Sequence, residues 1–291
     1  MLHPFSSRIC RLRANDDDIA DLHLLQEVVT EAAAIAHRYF GSKSLKVWDK
    51  SVDNPVTEAD LEVNEFIRRK LMSARPAYGW LSEETTLSDH RRDQAKVWVL
   101  DPIDGTKAFI NGSPFWCVGA GLVERGEPKV AVVAAPALGQ CYTAVKYGGA
   151  KRNGDIIRVS DQSSIQGCRM VATEEMFNHK SWPEIWPDMV FARPKPNATL
   201  LRLCAVASGE WDAAMALWRK SDWDLAPGSL IVEEAGGLAT THLGEDYRFN
   251  QLIPAQRSLL SAGTKLHSLL KARLDHVQLT NPNANETQTS F

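Results

Sequence analysis

The chain has 291 residues, of which 44% are apolar and 24% charged, the balance of a globular protein with enough chain for one large domain or two modest ones. Its net charge of −3 gives no electrostatic reason to expect nucleic acid or an anionic membrane as partner, and no apolar run approaches the length of a membrane span. Five cysteines, at 10, 117, 141, 168 and 204, form no C-x-x-C pair and are odd in number, which argues against a disulfide frame or a structural zinc site. The basic N-terminus lacks the apolar core of a secretory signal, so a cytoplasmic location is the expectation.

Asp16, Asp17 and Asp18 can cap and charge a helix over residues 16–40, ended by Gly41, with Ile19, Leu22, Leu25, Val29 and Ala32 or Ala33 facing inward. Asn54-Pro55 then breaks the chain. Thr57 is the N-cap of a second helix, with Asp60 three residues on in a variant capping box and Ala59, Val63, Phe66, Ile67 and Leu71 on its buried face. Capping alone accounts for Thr57 and Asp60; the functional alternative has Asp60 reach into a site at the helix start. A short apolar strand over 78–81 runs into Ser82, Glu83 and Glu84, and residues 85–95 read as a polar surface segment.

Residues 97–100 (Val-Trp-Val-Leu) are a buried-strand run that stops at Asp101, Pro102 and Gly105. A strand that ends in such a turn projects Asp101 and Asp104 from its rim, with Thr106 and Lys107 beside them. Two acids flanking a backbone carbonyl suit a hard cation such as Mg²⁺, although a lone D-x-x-D is more often a solvated turn. Strands over 115–123, 130–135 and 140–145 have the spacing of an antiparallel meander, followed by turns at Gly148-Gly149 and Asn153-Gly154 and a short strand over 156–159. A change of character near residue 160 places a boundary there: an α+β half over 1–160, an α/β half over 161–278, and a disordered polar tail over 279–291. The second half offers a strand over 169–172, an irregular Pro- and Trp-rich stretch over 180–197, a helix over 198–208 and a strand over 211–217. Asp224 then stands at the start of a helix ended by Gly236-Gly237, with Pro227 placing the helix start close to Asp224.

Glu83, Asp101, Asp104 and Asp224 thus stand at the ends of regular elements. Clustered carboxylates are costly unless a cation neutralises them, and phosphate-monoester cleavage needs such ions. The pieces V-T-E-A-D (56–60), S-E-E (82–84), D-P-I-D-G-T (101–106), W-D-L-A-P-G (223–228) and E-E-A-G-G (233–237) together resemble the inositol monophosphatase family of Mg²⁺-dependent, lithium-sensitive phosphomonoesterases. That resemblance implies a layered α/β sandwich, a homodimer and a small phosphate ester as substrate. It implies that Glu83, Asp101 and the Ile103 carbonyl hold one metal and that Asp101, Asp104 and Asp224 hold a second. By the same likeness Thr106, helped by Asp60 and Glu83, orients the attacking water, and amides near Gly105 and Thr106 take the phosphate, with Lys107 and Arg219 as further phosphate contacts.

The chain departs from the family's inositol enzymes at two places. Leu217 stands seven residues before Asp224, where those enzymes carry a Glu that contacts the sugar alcohol. Asn197-Ala198-Thr199 replaces their Gly-Ser/Thr-Ala. Lys107 and the S-E-E triplet are closer to the family's 3′(2′),5′-bisphosphate nucleotidases. The expectation is therefore 3′-phosphoadenosine 5′-phosphate as substrate, with inositol 1-phosphate as the alternative. A catalytically silent, regulatory or RNA-associated binding protein is the alternative of another class, disfavoured because every ligand position is filled.

Overall fold

The computed structural model describes residues 13–51, 54–178, 180 and 182–279; residues 280–291, most of the expected disordered tail, lie outside it. Helix α1 (Asp16–Tyr39) is capped by Asn15, whose side-chain oxygen accepts the Asp18 amide at 2.7 Å. The three aspartates expected as caps complement the helix dipole instead, and Asp18 also accepts from the Asn15 side-chain nitrogen at 2.8 Å. Where the sequence shows only a break, an antiparallel hairpin forms from β1 (Val47–Ser51) and β2 (Asn54–Thr57). Pro55 is tolerated there because a two-stranded ribbon consists entirely of edges. Thr57 then caps α2 (Glu58–Ala74) through the expected capping box with Asp60.

The strands β3 (Gly79–Ser82), β4 (Lys96–Asp104), β5 (Cys117–Glu124), β6 (Glu127–Ala135), β7 (Gln140–Val145), β8 (Gly149–Arg152) and β9 (Asp155–Ile156) lie side by side in chain order in one sheet. β3 is parallel to β4 and each later pair is antiparallel, so the expected meander is present. Three details differ from expectation. β4 does not stop at Asp101 but continues, with a break in register, to Asp104, where it meets the short helix α3 (Thr106–Ile110). The glycine turns around 148–154 enclose β8, because a turn at each end still leaves four residues free to pair. The last strand occupies 155–156 and not 156–159.

The second half contributes β10 (Arg169–Val171), β11 (Val190–Phe191), α4 (Thr199–Ala207), β12 (Ala213–Ala216), β13 (Lys220–Ser221), α5 (Asp222–Glu234), β14 (Gly237–Thr240), β15 (Ala255–Gln256), β16 (Leu259–Gly263) and α6 (Thr264–Leu274). Five of these strands form a sheet in the order β11-β10-β12-β16-β14, while β13 and β15 make a separate ribbon. Helix α5 begins at Asp222, two residues before the expected start, which places Pro227 beyond the first turn.

Period-two alternation in the long strands decides the layering. Along β4, Trp98 and Leu100 face α1 and α2, whereas Val97 and Val99 face α4 and α5. On β6, Val130 and Val132 face the first pair of helices, and Ala131 and Val133 the second. Helices α4 and α5 are apolar nearly all round because they lie between the two sheets. Leu266, Leu270 and Leu274 of α6 cover the far face of the five-stranded sheet against Met170, Met215 and Leu260. Helix and sheet layers therefore alternate, the layered α/β arrangement that the sequence motifs imply.

Candidate functional site

Two segments, β4 and α5, bring three carboxylates together at one end of the seven-stranded sheet. On β4, Asp101 pairs with Gly119 and Asp104 with Cys117, so four residues of β4 oppose three of β5. In a regular strand, residues three apart point to opposite faces; the extra residue re-aims one side chain so that both aspartates reach the same place. Gly105 follows with φ of +92°, and a Cβ there would lie 2.9 Å from the Phe115 carbonyl oxygen, so the turn into α3 requires glycine. Asp224 arrives from α5, where its carboxylate also accepts the Ser221 amide at 3.1 Å in a capping box.

Carboxylate oxygens of Asp101, Asp104 and Asp224 all lie within 4.8 Å of one another. Asp104 accepts the Leu200 amide at 2.6 Å. Oδ1 of Asp101 is buried and has no hydrogen-bond partner. Burial first, and then the neighbouring charges of Glu83, Asp104 and Asp224, push the Asp101 carboxyl far above the usual carboxylate range. Asp104 is pushed up to about 7, by burial and then by Asp224, with the Leu200 amide acting the other way. Such a cluster is expensive as bare protein, and a small divalent cation relieves both the repulsion and the orphaned oxygen. The donors are hard oxygens, the set that suits Mg²⁺.

Glu83 leaves the end of β3 beside this cluster, but its carboxylate is held by Lys50 of the hairpin, with Nζ 2.8 Å from Glu83 and 2.6 Å from Glu84. Burial raises the Glu83 pKa and Lys50 opposes the rise. Asp60 lies at the start of α2, where it accepts the Thr57 amide at 2.8 Å and the Thr57 hydroxyl at 2.5 Å. Its other oxygen is 3.4 Å from the Thr106 hydroxyl, which also donates to the Ile103 carbonyl at 3.0 Å. Burial raises Asp60 to about 7, against the two bonds from Thr57. Capping and proximity to the site are thus both true of Asp60.

Beside Thr106 opens a cavity of about 420 Å³, lined by Gly105, Thr106, Lys107, Arg202, Trp218 and Lys220 among others. Arg219 is exposed and is not among its lining residues. Lys220 donates to the Thr199 hydroxyl at 2.7 Å and stands 3.9 Å from Asp224. Arg202 is 4% exposed; Nε and Nη2 donate to the carbonyls of Pro196 and Asn197, while Nη1 has no partner. Sequence reasoning passed over Lys50, Arg202 and Lys220. For Arg202 a signal existed, since an arginine in the run Leu-Leu-Arg-Leu-Cys-Ala-Val-Ala has no exposed face to occupy.

Comparison with known proteins follows the same lines. The sequence profile of the inositol monophosphatase family matches residues 20–279. Histidinol-phosphatase of Chlorobaculum parvum is 32% identical over 264 residues, spanning 84% of this chain and 93% of that protein. Inositol monophosphatase 2 of Solanum lycopersicum is 33% identical over 237 residues, covering 76% and 88% respectively. Among solved structures, the Thermotoga maritima IMPase superposes with a TM-score of 0.74 at 25% identity, over 89% of this chain and 97% of that one.

Proposed function

The chain belongs to the inositol monophosphatase family, and on that premise we propose that it uses Mg²⁺ to hydrolyse 3′-phosphoadenosine 5′-phosphate. It is a phosphatase, a phosphoric monoester hydrolase. The observation that carries the metal is the unpartnered, buried oxygen of Asp101 within the triad of carboxylates. In this reading Asp101, Asp104 and Asp224 hold one ion, and Glu83, Asp101 and the Ile103 carbonyl hold another once Lys50 has let go of Glu83. When bound, Mg²⁺ neutralises charge on the phosphoryl oxygens and the leaving alkoxide.

The chain's own groups do the rest. The Thr106 hydroxyl spends its proton on Asp60 or Ile103, which leaves its oxygen to accept from a water and aim that water at phosphorus. Asp60 is held rigid by Thr57 and sets the orientation of that hydroxyl. Amides at the start of α3 and the Lys107 ammonium receive the phosphate. Lithium at millimolar concentration competes for a metal position, and the protein is a homodimer, measurable by light scattering.

Two observations support a bisphosphate over an inositol phosphate. Leu217 offers no acceptor for ring hydroxyls, each of which costs about 1–3 kcal/mol when buried unpaired. Arg202, Lys107 and Lys220 give the cavity more cationic groups than one phosphate at a metal centre needs, and Arg202 has a donor to spare. Histidinol phosphate is the second reading, favoured by the 32% identity to a histidinol-phosphatase over most of both chains. A catalytically silent or RNA-associated role is disfavoured by the cluster of Asp101, Asp104 and Asp224 and by the mild net acidity. Phosphate release from all three esters, with Mg²⁺ and with chelator, tests the proposal. Release only with metal, and fastest from the bisphosphate, is the expected result; a preference for inositol 1-phosphate overturns the substrate, and no release from any ester overturns the mechanism.

A further inference from the structure

Next to the cationic cavity lies a second one of about 570 Å³ with a different character. Its walls are mostly apolar and include Met176, Trp182, Leu217, Trp218, His276 and Val277. Trp218 lines both cavities, so the second adjoins the site where the phosphate would sit. Its volume falls within the range of about 300–1,000 Å³ usual for small-molecule sites.

We propose that this cavity receives the planar nitrogen heterocycle of the substrate, with Trp182 and Trp218 as its aromatic faces and Leu217 as its floor; the inference rests on the phosphatase reading above and gives its substrate class. The Trp182 indole is held in place, since Nε1 donates to the Met176 carbonyl at 2.6 Å and its ring meets Trp186 and His276 edge-on at 5.2 and 5.7 Å. A rigid ring loses little freedom when a base stacks on it. Trp218 is 42% exposed, a large aromatic surface left open at the junction of the two cavities. The wall made by the C-terminal segment is pinned as well, because the Val277 carbonyl accepts from His242 Nε2 at 3.0 Å and the Val277 amide donates to the Leu274 carbonyl at 2.9 Å. Glu175 at the rim is an exposed carboxylate that can accept from a ring N–H or an exocyclic amine. Thr173, Glu175, His276 and Gln278 are the polar side chains of a lining that is otherwise apolar. A flat, weakly hydrated ring with two faces to bury therefore fits it better than a polyol ring that must pair several hydroxyls.

The test separates this pocket from the chemistry. Binding is read by tryptophan fluorescence in Ca²⁺, where turnover is not needed, with 3′-phosphoadenosine 5′-phosphate, histidinol phosphate, inositol 1-phosphate and glycerol 2-phosphate as probes. The full chain should bind one of the two heterocyclic esters at least tenfold more tightly than the other two probes, and the stronger of the pair tells a purine from an imidazole. Trp182→Ala, outside the lining of the phosphate cavity, should weaken that binding tenfold or more while changing glycerol 2-phosphate binding far less, and Trp218→Ala should weaken heterocycle binding tenfold or more as well. In Mg²⁺, Trp182→Ala should raise KM for the heterocyclic ester with kcat largely kept. Equal loss for all probes in Trp182→Ala, no loss, or tightest binding of inositol 1-phosphate overturns the pocket. Selective binding without phosphate release in Mg²⁺ leaves the pocket standing and overturns only the hydrolytic reading.

Discussion

The Asp104 carboxylate accepts the backbone amide of Leu200, 96 positions further along the chain, at 2.6 Å. A strand end in the first half is thereby tied to the start of a helix in the second. The bond orients an acid of the cluster and holds α4, with Arg202 one residue beyond Leu201, against the cavity. Any change that shifts α4 relative to β5 should therefore reach the site.

Gly119 offers such a change. A Cβ at this position would lie 2.0 Å from Cδ1 of the fully buried Leu200. Gly119→Ala should destabilise by about 1–3 kcal/mol and lower activity through the displaced Leu200 amide. Adding Leu200→Ala, which makes room, should recover part of the activity; denaturant melts and initial rates on both variants check this.

Asp101→Asn and Asp224→Asn should each reduce phosphate release by about 10²-fold or more, as expected when a group facing developing charge is lost. Both should fold, because each removes a repelled carboxylate from the cluster. Melting temperature in chelator should stay level or rise. Near-normal rates at saturating Mg²⁺ would remove these residues from the site.

Thr106→Ala should lower kcat by about 10²-fold with little change in KM, the signature of a group that acts mainly in the transition state. Thr106→Ser keeps the hydroxyl and should restore most of the rate. A raised KM at constant kcat would make Thr106 a binding residue.

Without metal, stability should depend on pH in a defined direction. Asp60 and Asp104 are raised to about 7 in the folded chain and Asp101 is also raised well above its free value, against about 4 for free carboxylates. Folded groups with raised pKa hold protons that the unfolded chain has released, so their contribution is full below about pH 4 and is lost as pH rises towards 7 and above. In chelator, the melting temperature of the wild-type protein relative to Asp101→Asn should fall between pH 5 and 7.5. Mg²⁺ should recover it at pH 7.5. A difference that does not change with pH would show that the cluster carries no such strain.

Much of this protein was legible before any tertiary structure. The apolar run of Val97, Trp98, Val99 and Leu100 and the capping box of Thr57 and Asp60 are local patterns, because strand propensity and helix caps depend on near neighbours. The acids at strand and helix ends, in their order along the chain, were enough to imply the family. Local pattern failed at the β1–β2 hairpin, whose strands are mostly exposed and carry no alternation to read. It failed also at β4, where the ladder with β5 carries the strand past a proline that signals a stop.

Only the tertiary structure decided which side chains meet. The bulge that turns Asp101 and Asp104 to one side depends on pairing with β5, and the hold of Lys50 on Glu83 depends on where the hairpin lies. Burial of Arg202 between the two sheets turned a lone arginine into a cation with an unused donor. Trp182, Leu217, Trp218 and His276 become one cavity because the segment between β10 and β11, the end of β12 and the segment after α6 come together. Residue type and spacing set what each group can do, whereas the distance between groups remote in sequence is set by how the layers pack.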